Sequence, residues 1–463
     1  MGKETKPMLK IFNPANGKLL KEVSEDGGAV VAQKAETARK VQPAWAARPL
    51  QERLAILKKF RDLVVAKTEA LALTLTDEVG KPITQSRNEL KGLLGRLDFF
   101  LEHTARELAE ETVFSDGGMT EIIRHEPLGV VANISAWNYP YFVGSNVFVP
   151  ALLAGNAVLY KPSEFATLTG MNIADLLYEA GVPKEIFALI VGGGSTGATL
   201  LQQDIDGVFF TGSYATGLKV AEAASRRLIK LQLELGGKDP AYVCEDVDVT
   251  KAALSLADGA FYNTGQSCCS VERIYVHSEI YEPFLEAFVT EVKGYPLGDP
   301  RDEKTYLGAI TRPAQLEVLQ RQVEDALAKG AKLHCGGKRL SGPGNFFEAA
   351  VFSNVDHGME LMREESFGPV IGIQKVSGDE EALALMNDTV YGLTAGVYTR
   401  DQARAERLLS RIEAGSAYWN CCDRVSPRLP WSGRKHSGLG TVLSHYGIKS
   451  FTRPKALHLR QPG

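Results

Sequence analysis

No run of about 18 consecutive apolar residues occurs in this sequence, so nothing in it reads as a membrane-spanning helix. Cysteine is scarce, six in 463 residues, and none lies in a CxxC pair or at zinc-ligand spacing from a histidine. Cys268–Cys269 and Cys421–Cys422 are adjacent pairs, which rarely bridge each other. A disulfide framework and a metal site are therefore not expected, and a reducing, cytoplasmic setting is. Charge of one sign is also missing. With 52 basic and 56 acidic residues the net charge is −4, which gives no reason to expect a nucleic-acid or membrane partner. Met1 to Lys10 lacks an apolar signal core. Gly2 invites myristoylation, but Lys6 stands where Ser or Thr is required. Internal repeats and low-complexity linkers are absent as well.

What is present is ordinary globular material, 44% hydrophobic and 23% charged. At roughly 100–200 residues per domain, the length suggests two to four domains. Residues 29–70 and 85–110 read as helices rich in Ala, Leu, Lys and Glu. Short apolar runs then alternate with helical stretches. The runs are Val130–Ile134, Ala157–Tyr160, Phe187–Val191 and Val208–Phe210, and the helices lie near 167–179, 196–202 and 215–227. Such alternation is the pattern of a parallel sheet covered on both faces. A second alternation runs from Ile274 to Arg411 and suggests a second α/β domain, with the boundary near Gly236–Gly237. Residues 431–440 (WSGRKHSGLG) form a glycine-rich loop.

Several residues have the chemistry of a site. Cys268 follows Gly265-Gln-Ser, and a nucleophilic cysteine needs close substrate approach and an oxyanion donor; the alternative is an inert buried thiol. Glu234 follows the strand-like Leu231–Leu233, where a carboxylate suits a general base or a salt bridge. Asn138, in Ser135-Ala-Trp137-Asn-Tyr-Pro, offers an amide to an oxyanion or makes a turn before Pro140. Gly192-Gly-Gly194-Ser-Thr-Gly197 matches GxGxxG, but no acidic residue stands at the expected later strand end. Phe210-Thr-Gly212-Ser213 with Gly217 joins a strand to a helix whose N-terminus suits a pyrophosphate. Lys161-Pro-Ser163-Glu164 places a cation, a hydroxyl and a carboxylate at another strand end, and reads otherwise as solvated loop charge.

The order of these motifs along the chain resembles the aldehyde dehydrogenase superfamily: Asn138, KPSE at 161–164, FTGS at 210–213, ELGGK at 234–238, GQSC at 265–268 and EESFGP at 364–369. The resemblance runs from Phe12-Asn-Pro-Ala to Phe451-Thr-Arg-Pro-Lys. It implies an α/β fold with three parts. A Rossmann-like coenzyme domain takes 1–105 and 128–235, a catalytic domain 236–438, and a small β-flap 106–127 with 439–463. The flap pairs protomers in relatives, so a homodimer or homotetramer is expected. The resemblance makes Cys268 the nucleophile, in preference to Cys269, and Glu234 the activator of the hydrolytic water. It makes the Asn138 amide and the Cys268 backbone N–H the oxyanion hole. Lys161, Ser163 and Glu164 fall to the adenosine ribose, Gly212, Ser213 and Gly217 to the pyrophosphate helix, and Glu365 and Phe367 to the nicotinamide end. Ser135 and Trp137 line the same side, and Gly194 belongs to a cofactor-edge loop. NAD is expected over NADP, because a 2′-phosphate beside Glu164 meets a carboxylate.

Two departures from the family stand out. Ser270 replaces a smaller or apolar residue, and Leu-Pro-Trp431-Ser replaces Pro-Phe-Gly-Gly. Both are expected to shape the tunnel without touching the catalytic set. In length and in Leu443-Ser-His-Tyr-Gly-Ile the chain resembles short bacterial enzymes of the succinate-semialdehyde dehydrogenase type. Their carboxylate-binding arginines are absent, however, with Asn146 and Tyr262 at those positions. The tunnel residues implied are Tyr139, Phe142, Val143, Tyr262, Arg424, Val425 and Trp431, a lining suited to apolar medium-chain or aromatic aldehydes. The alternative is a succinate-semialdehyde dehydrogenase with Arg424, read as the one nearby cation, holding the carboxylate. A CoA-acylating enzyme would lack Glu234, and an inactive structural relative would not keep Cys268, Glu234 and Asn138 together. Cys421 and Cys422 are expected to face the tunnel beside Cys268 and Cys269, as packing or as a thiol switch.

Overall fold

A computed structural model describes residues 7–462. Gly2 and Lys6, weighed above for myristoylation, lie outside the described residues. The helical stretch read over 29–70 is two helices, Gly28–Ala46 and Leu50–Val79. Pro49, extended at ψ 139°, separates them, since proline donates no N–H and bars the preceding residue from helical geometry. The second helix stops at Gly80, whose φ of 79° lets its N–H return to the Thr76 carbonyl at 3.0 Å. A third helix, Ile83–Glu107, packs against it.

Six strands form the first large sheet. Val130–Ile134 lies inside it, with Ala157–Lys161 and Phe187–Leu189 added in turn on one side and Gly207–Thr211 and Lys230–Glu234 on the other. These five run parallel, and the short strand Gly438–Leu439 closes the edge antiparallel to Lys230–Glu234. Strand order therefore reverses between Val130–Ile134 and Gly207–Thr211. Open parallel sheets bind ligands outside the carboxyl ends of the strands at such a reversal.

After Glu234 the chain enters the second sheet at Asp239. Its seven strands run in the order Lys332–Cys335, Ala350–Ser353, Val370–Val376, Val271–His277, Asp239–Val243, Thr394–Tyr398, Ser416–Trp419. All neighbours are parallel except the first pair. Alternate residues face opposite cores. Tyr242 and Tyr275 join one apolar cluster, while Ala241, Val243, Ile274 and Val276 join another. Burial on both faces is why these strands read as continuous apolar runs. A three-stranded antiparallel sheet of Thr452–Arg460, Met119–Pro127 and Glu111–Ser115 projects with both edges exposed. No helix among the described residues is long and apolar enough to cross a membrane.

Candidate active site

Four strand ends of the six-stranded sheet deliver the residues picked from sequence. Val130–Ile134 leads into Ser135, Trp137 and Asn138, Ala157–Lys161 into Ser163 and Glu164, Gly207–Thr211 into Gly212 and Ser213, and Lys230–Glu234 ends on Glu234 itself. The carboxyl ends at the order reversal thus carry a donor amide, a cation–carboxylate pair, a helix N-terminus and a buried acid.

Cys268 sits in a loop shaped by an unusual turn. Asn263, Thr264 and Gly265 take φ values of 54°, 57° and 71°, three consecutive left-handed residues ahead of the thiol. Left-handed geometry costs a non-glycine residue about 1–2 kcal/mol, so the surroundings must impose it. They do so by hydrogen bonds. The Asn263 N–H donates to Gln85 Oε1 at 2.8 Å, Thr264 Oγ1 accepts from Gly308 N–H at 2.9 Å, and Gln266 Oε1 accepts from Thr311 N–H at 2.9 Å. A Cβ at Gly265 would stand 2.4 Å from the Gly368 carbonyl oxygen. Asn138 Nδ2 donates one N–H to the Gln266 carbonyl at 3.1 Å, which anchors the amide and leaves its second N–H free. All six cysteines carry free thiols. Cys268 is partly exposed. Cys269 is buried, donates to Asp423 Oδ1 at 2.9 Å, and has its pKa raised by contact with Cys268 and by burial.

Glu234 is buried at the end of its strand, where Oε1 accepts from Gln232 Nε2 at 3.0 Å. The Trp431 indole bears on the same carboxylate, but not closely enough to satisfy Oε2, which has no partner among the described residues. Burial pushes the Glu234 carboxyl up to about 8 against the pull of Gln232 and Trp431. The expectation that Trp431 leaves the catalytic set untouched is therefore corrected. The loop carrying it wraps Glu234, with Trp431 and Val442 exchanging backbone hydrogen bonds and Gly438 opposite Glu234. Ser270 is corrected too: its hydroxyl donates to the Gly259 and Ala260 carbonyls at 3.0 Å, fastening the loop to the helix Val249–Phe261 rather than lining a tunnel.

Gly236 and Gly237 admit the opposite wall. A Cβ on Gly236 would meet Glu365 Oε1 at 2.3 Å, and one on Gly237 would meet the Cys268 carbonyl oxygen at 2.8 Å. Glu365 Oε1 accepts from Gly237 N–H at 3.1 Å, and burial beside Glu272 pushes its carboxyl up to about 8. Phe367, left-handed at φ 46°, meets Trp137 edge to face at 5.5 Å. Glu272, which the sequence reading missed, holds that segment. Its carboxylate accepts from Ser366 N–H at 2.8 Å and Phe367 N–H at 3.0 Å and pairs with buried Lys238 at 2.6 Å. A carboxylate inside the strand Val271–His277 was the available signal, blurred by Arg273 beside it.

The residues present fit a dinucleotide. The helix Tyr214–Ser225 starts at Ser213, whose hydroxyl goes to Thr216 Oγ1 at 3.1 Å and caps no backbone N–H. Gly217 keeps that helix against Leu235, since a Cβ there would stand 2.6 Å from it. At Gly212 a Cβ would meet Phe210 at 2.5 Å. Lys161 is buried and Glu164 half-exposed with 4.0 Å between their charged groups, and burial lowers the lysine pKa. Ser135 Oγ is buried without a partner among the described residues. Gly194 opens a different helix, Gly194–Leu201, beside Gly193, whose N–H already meets Glu25 at 3.3 Å.

Aromatic residues gather beside the thiol. Tyr139 and Phe142 lie parallel, 5.9 Å apart, backed by Lys81 Nζ at 3.7 Å and the Arg96 guanidinium at 3.7 Å. Tyr262 accepts from Asn88 Nδ2 at 3.1 Å, and Val425, like Cys268, packs on the core of the first sheet. Val143 follows Phe142 in the helix Pro140–Leu153. Arg424 is exposed, its carbonyl accepting from the Tyr418 hydroxyl at 2.7 Å, and it is not the one nearby cation. Cys422 does not join a thiol cluster. It is turned onto the helix Val249–Phe261, donating to the Ser255 carbonyl at 3.5 Å, and burial pushes its thiol up to about 12.

The sequence matches the aldehyde dehydrogenase family over residues 2–457. It is similar to a betaine aldehyde dehydrogenase of Cereibacter sphaeroides, 34% identical over 453 residues, covering 97% of this chain and 93% of that one. Among solved structures it is similar to an NAD-dependent aldehyde dehydrogenase from Sinorhizobium meliloti, with TM-score 0.96 and 33% identity, covering 100% of this chain and 94% of that one. An NADP-dependent enzyme of E. coli aligns with TM-score 0.95 at 29% identity, covering 98% and 95%.

Proposed function

We propose, for a chain that belongs to the aldehyde dehydrogenase family, that it oxidises an apolar medium-chain or aromatic aldehyde to the carboxylic acid through a covalent intermediate on Cys268. The observation that carries this is Glu234, a buried carboxyl with an unpartnered Oε2, two residues from the glycine pair that abuts the Cys268 loop. Cys268 sulfur attacks the carbonyl carbon to give a thiohemiacetal. The free N–H of Asn138 and the Cys268 backbone N–H receive the oxyanion, where fixed donors outperform water. NAD, when bound, supplies the acceptor for the hydride that leaves this carbon. Glu234 then takes a proton from water as it attacks the thioester, and Cys268 leaves.

Lys161, Ser163 and Glu164 would hold the adenosine ribose, the Ser213 helix start the pyrophosphate, and Glu365 with Phe367 the nicotinamide ribose and ring. Glu164 favours NAD, since it accepts from ribose hydroxyls and repels a 2′-phosphate, while NADP remains usable through Lys161. In this reading 1–105 and 128–235 form the coenzyme domain and 236–438 the catalytic domain. Segments 106–127 and 439–463 form the flap of a homodimer or homotetramer in the cytoplasm.

Glu234→Gln tests the scheme. Acylation does not need the base, so one reduced coenzyme per site is expected, followed by a steady state at least a hundredfold slower. Sustained normal turnover would remove Glu234 from the mechanism. The same assay in the unmodified enzyme with each coenzyme is expected to give higher kcat/KM for NAD.

A further inference from the structure

Asn88, Gly92 and Arg96 recur at every fourth position of the helix Ile83–Glu107 and share one face. That face meets the aromatic residues beside Cys268. Asn88 reaches the Tyr262 hydroxyl, a Cβ on Gly92 would stand 2.6 Å from the Phe142 ring, and the Arg96 guanidinium stacks 3.7 Å from the centre of that ring. Arg96 is 4% exposed, yet it has no carboxylate and no hydrogen-bond partner among the described residues, and its Nη1 is dry.

The anions nearby are committed elsewhere. Glu89 pairs with Lys81 at 2.5 Å and accepts from the Tyr141 N–H at 2.9 Å. Asp423 accepts from the Cys269 thiol. Burial pulls Arg96 down to about 10, so it stays protonated at neutral pH, and the charges acting on it include Glu89, Cys269 and Cys268, which places it within electrostatic reach of the nucleophile. A buried cation left without an anion is costly, and one aromatic face offsets only part of that cost. A guanidinium is also the side chain best shaped to grip a carboxylate, by two parallel N–H bonds.

We propose that Arg96 is the anion anchor of the substrate site, and that the preferred aldehydes bear a carboxylate at the end remote from the carbonyl, across an apolar or aromatic body. The inference rests on the aldehyde-oxidising reading above, keeps its apolar or aromatic body and adds an anionic tail. The body of such a molecule lies against Tyr139 and Phe142, and its tail neutralises the guanidinium. A cationic aldehyde of the same shape meets Arg96 with the wrong sign.

Three para-substituted benzaldehydes test this on one ring: benzaldehyde, 4-carboxybenzaldehyde and 4-(trimethylammonio)benzaldehyde, each with the full-length enzyme and NAD. The carboxylate is expected to raise kcat/KM at least tenfold over benzaldehyde, and the ammonium to lower it at least tenfold. Ring electronics alone favour the opposite end of the series, because the ammonium group withdraws electrons and activates the carbonyl. Arg96→Met is expected to bring the carboxylate-to-neutral ratio to near one, and Arg96→Lys to keep part of it, which a merely structural role would not produce. A ratio near one in the unmodified enzyme, or one that Arg96→Met leaves unchanged, overturns the proposal. If Arg96→Met does not fold, the unmodified series and Arg96→Lys decide it. Oxidation of benzaldehyde without a carboxylate advantage sinks Arg96 alone, whereas failure to oxidise any of the three sinks the parent reading as well.

Discussion

At the scale of single residues the site depends on how tightly one carboxyl holds its proton. In the proposed scheme Glu234 must be ionised to take a proton from water, and its pKa is pushed up to about 8 because burial disfavours the charge. Deacylation is therefore expected to rise with pH along a limb centred near that value. The Trp431 indole favours the ionised form. Trp431→Phe keeps the ring, removes the N–H, and should move the limb to higher pH. A pH–rate profile of single-turnover deacylation checks it, and an unmoved or lowered limb would show that the indole acts only by packing. Cys268, Glu234 and Asn138 stand out as candidates in the sequence because each lies in a compact motif whose chemistry is local. Arg96 was not, since an arginine in a helix reads as solvated until its neighbours are known. What sets it apart is a ring 46 positions later, Phe142, and the lack of any anion.

At the scale of elements, the parallel strands announced themselves by apolar runs, and their carboxyl ends carry the site as the strand-order reversal requires. Harder to read were the contacts that fix loops between elements. Lys238 follows the first sheet, and Ser366 and Phe367 lie more than 90 residues beyond Glu272, yet the Glu272 carboxylate, in a strand of the second sheet, holds all three. No periodicity within a window reports such a contact. Glu272→Gln leaves the Lys238 ammonium buried without its counter-charge, a change that costs about 3–5 kcal/mol in comparable pairs. The variant should melt at lower temperature and show a larger rise in KM for NAD than for the aldehyde, because the freed segment carries Glu365 and Phe367. Calorimetry with coenzyme titration checks it, and equal rises in both KM values would mean that the pair serves folding alone. The break at Pro49 shows the reverse case. Its signal was plain in the sequence, but helical composition on both sides outweighed one breaker.

At the scale of the whole molecule, the three-stranded sheet is poorly explained by one copy of the chain. Val113, Phe114 and Leu459 are 55%, 45% and 52% exposed, and the nine-residue strand Thr452–Arg460 presents an open edge. Long exposed edges of this kind recruit another strand or must be protected. Light scattering at micromolar concentration should give the mass of a dimer or tetramer, and Leu459→Lys should shift it toward monomer. A monomer in the unmodified protein would leave these surfaces unaccounted for. The strand pairing at Glu234 has a different consequence. Its partner, Gly438–Leu439, begins 204 residues after Glu234. During translation Cys268 and Glu234 both emerge well before the strand that pairs with Glu234, so a partly made chain lacks that pairing. On the proposed scheme the surroundings of Glu234 are therefore completed late, when the returning segment docks, rather than as the polypeptide lengthens.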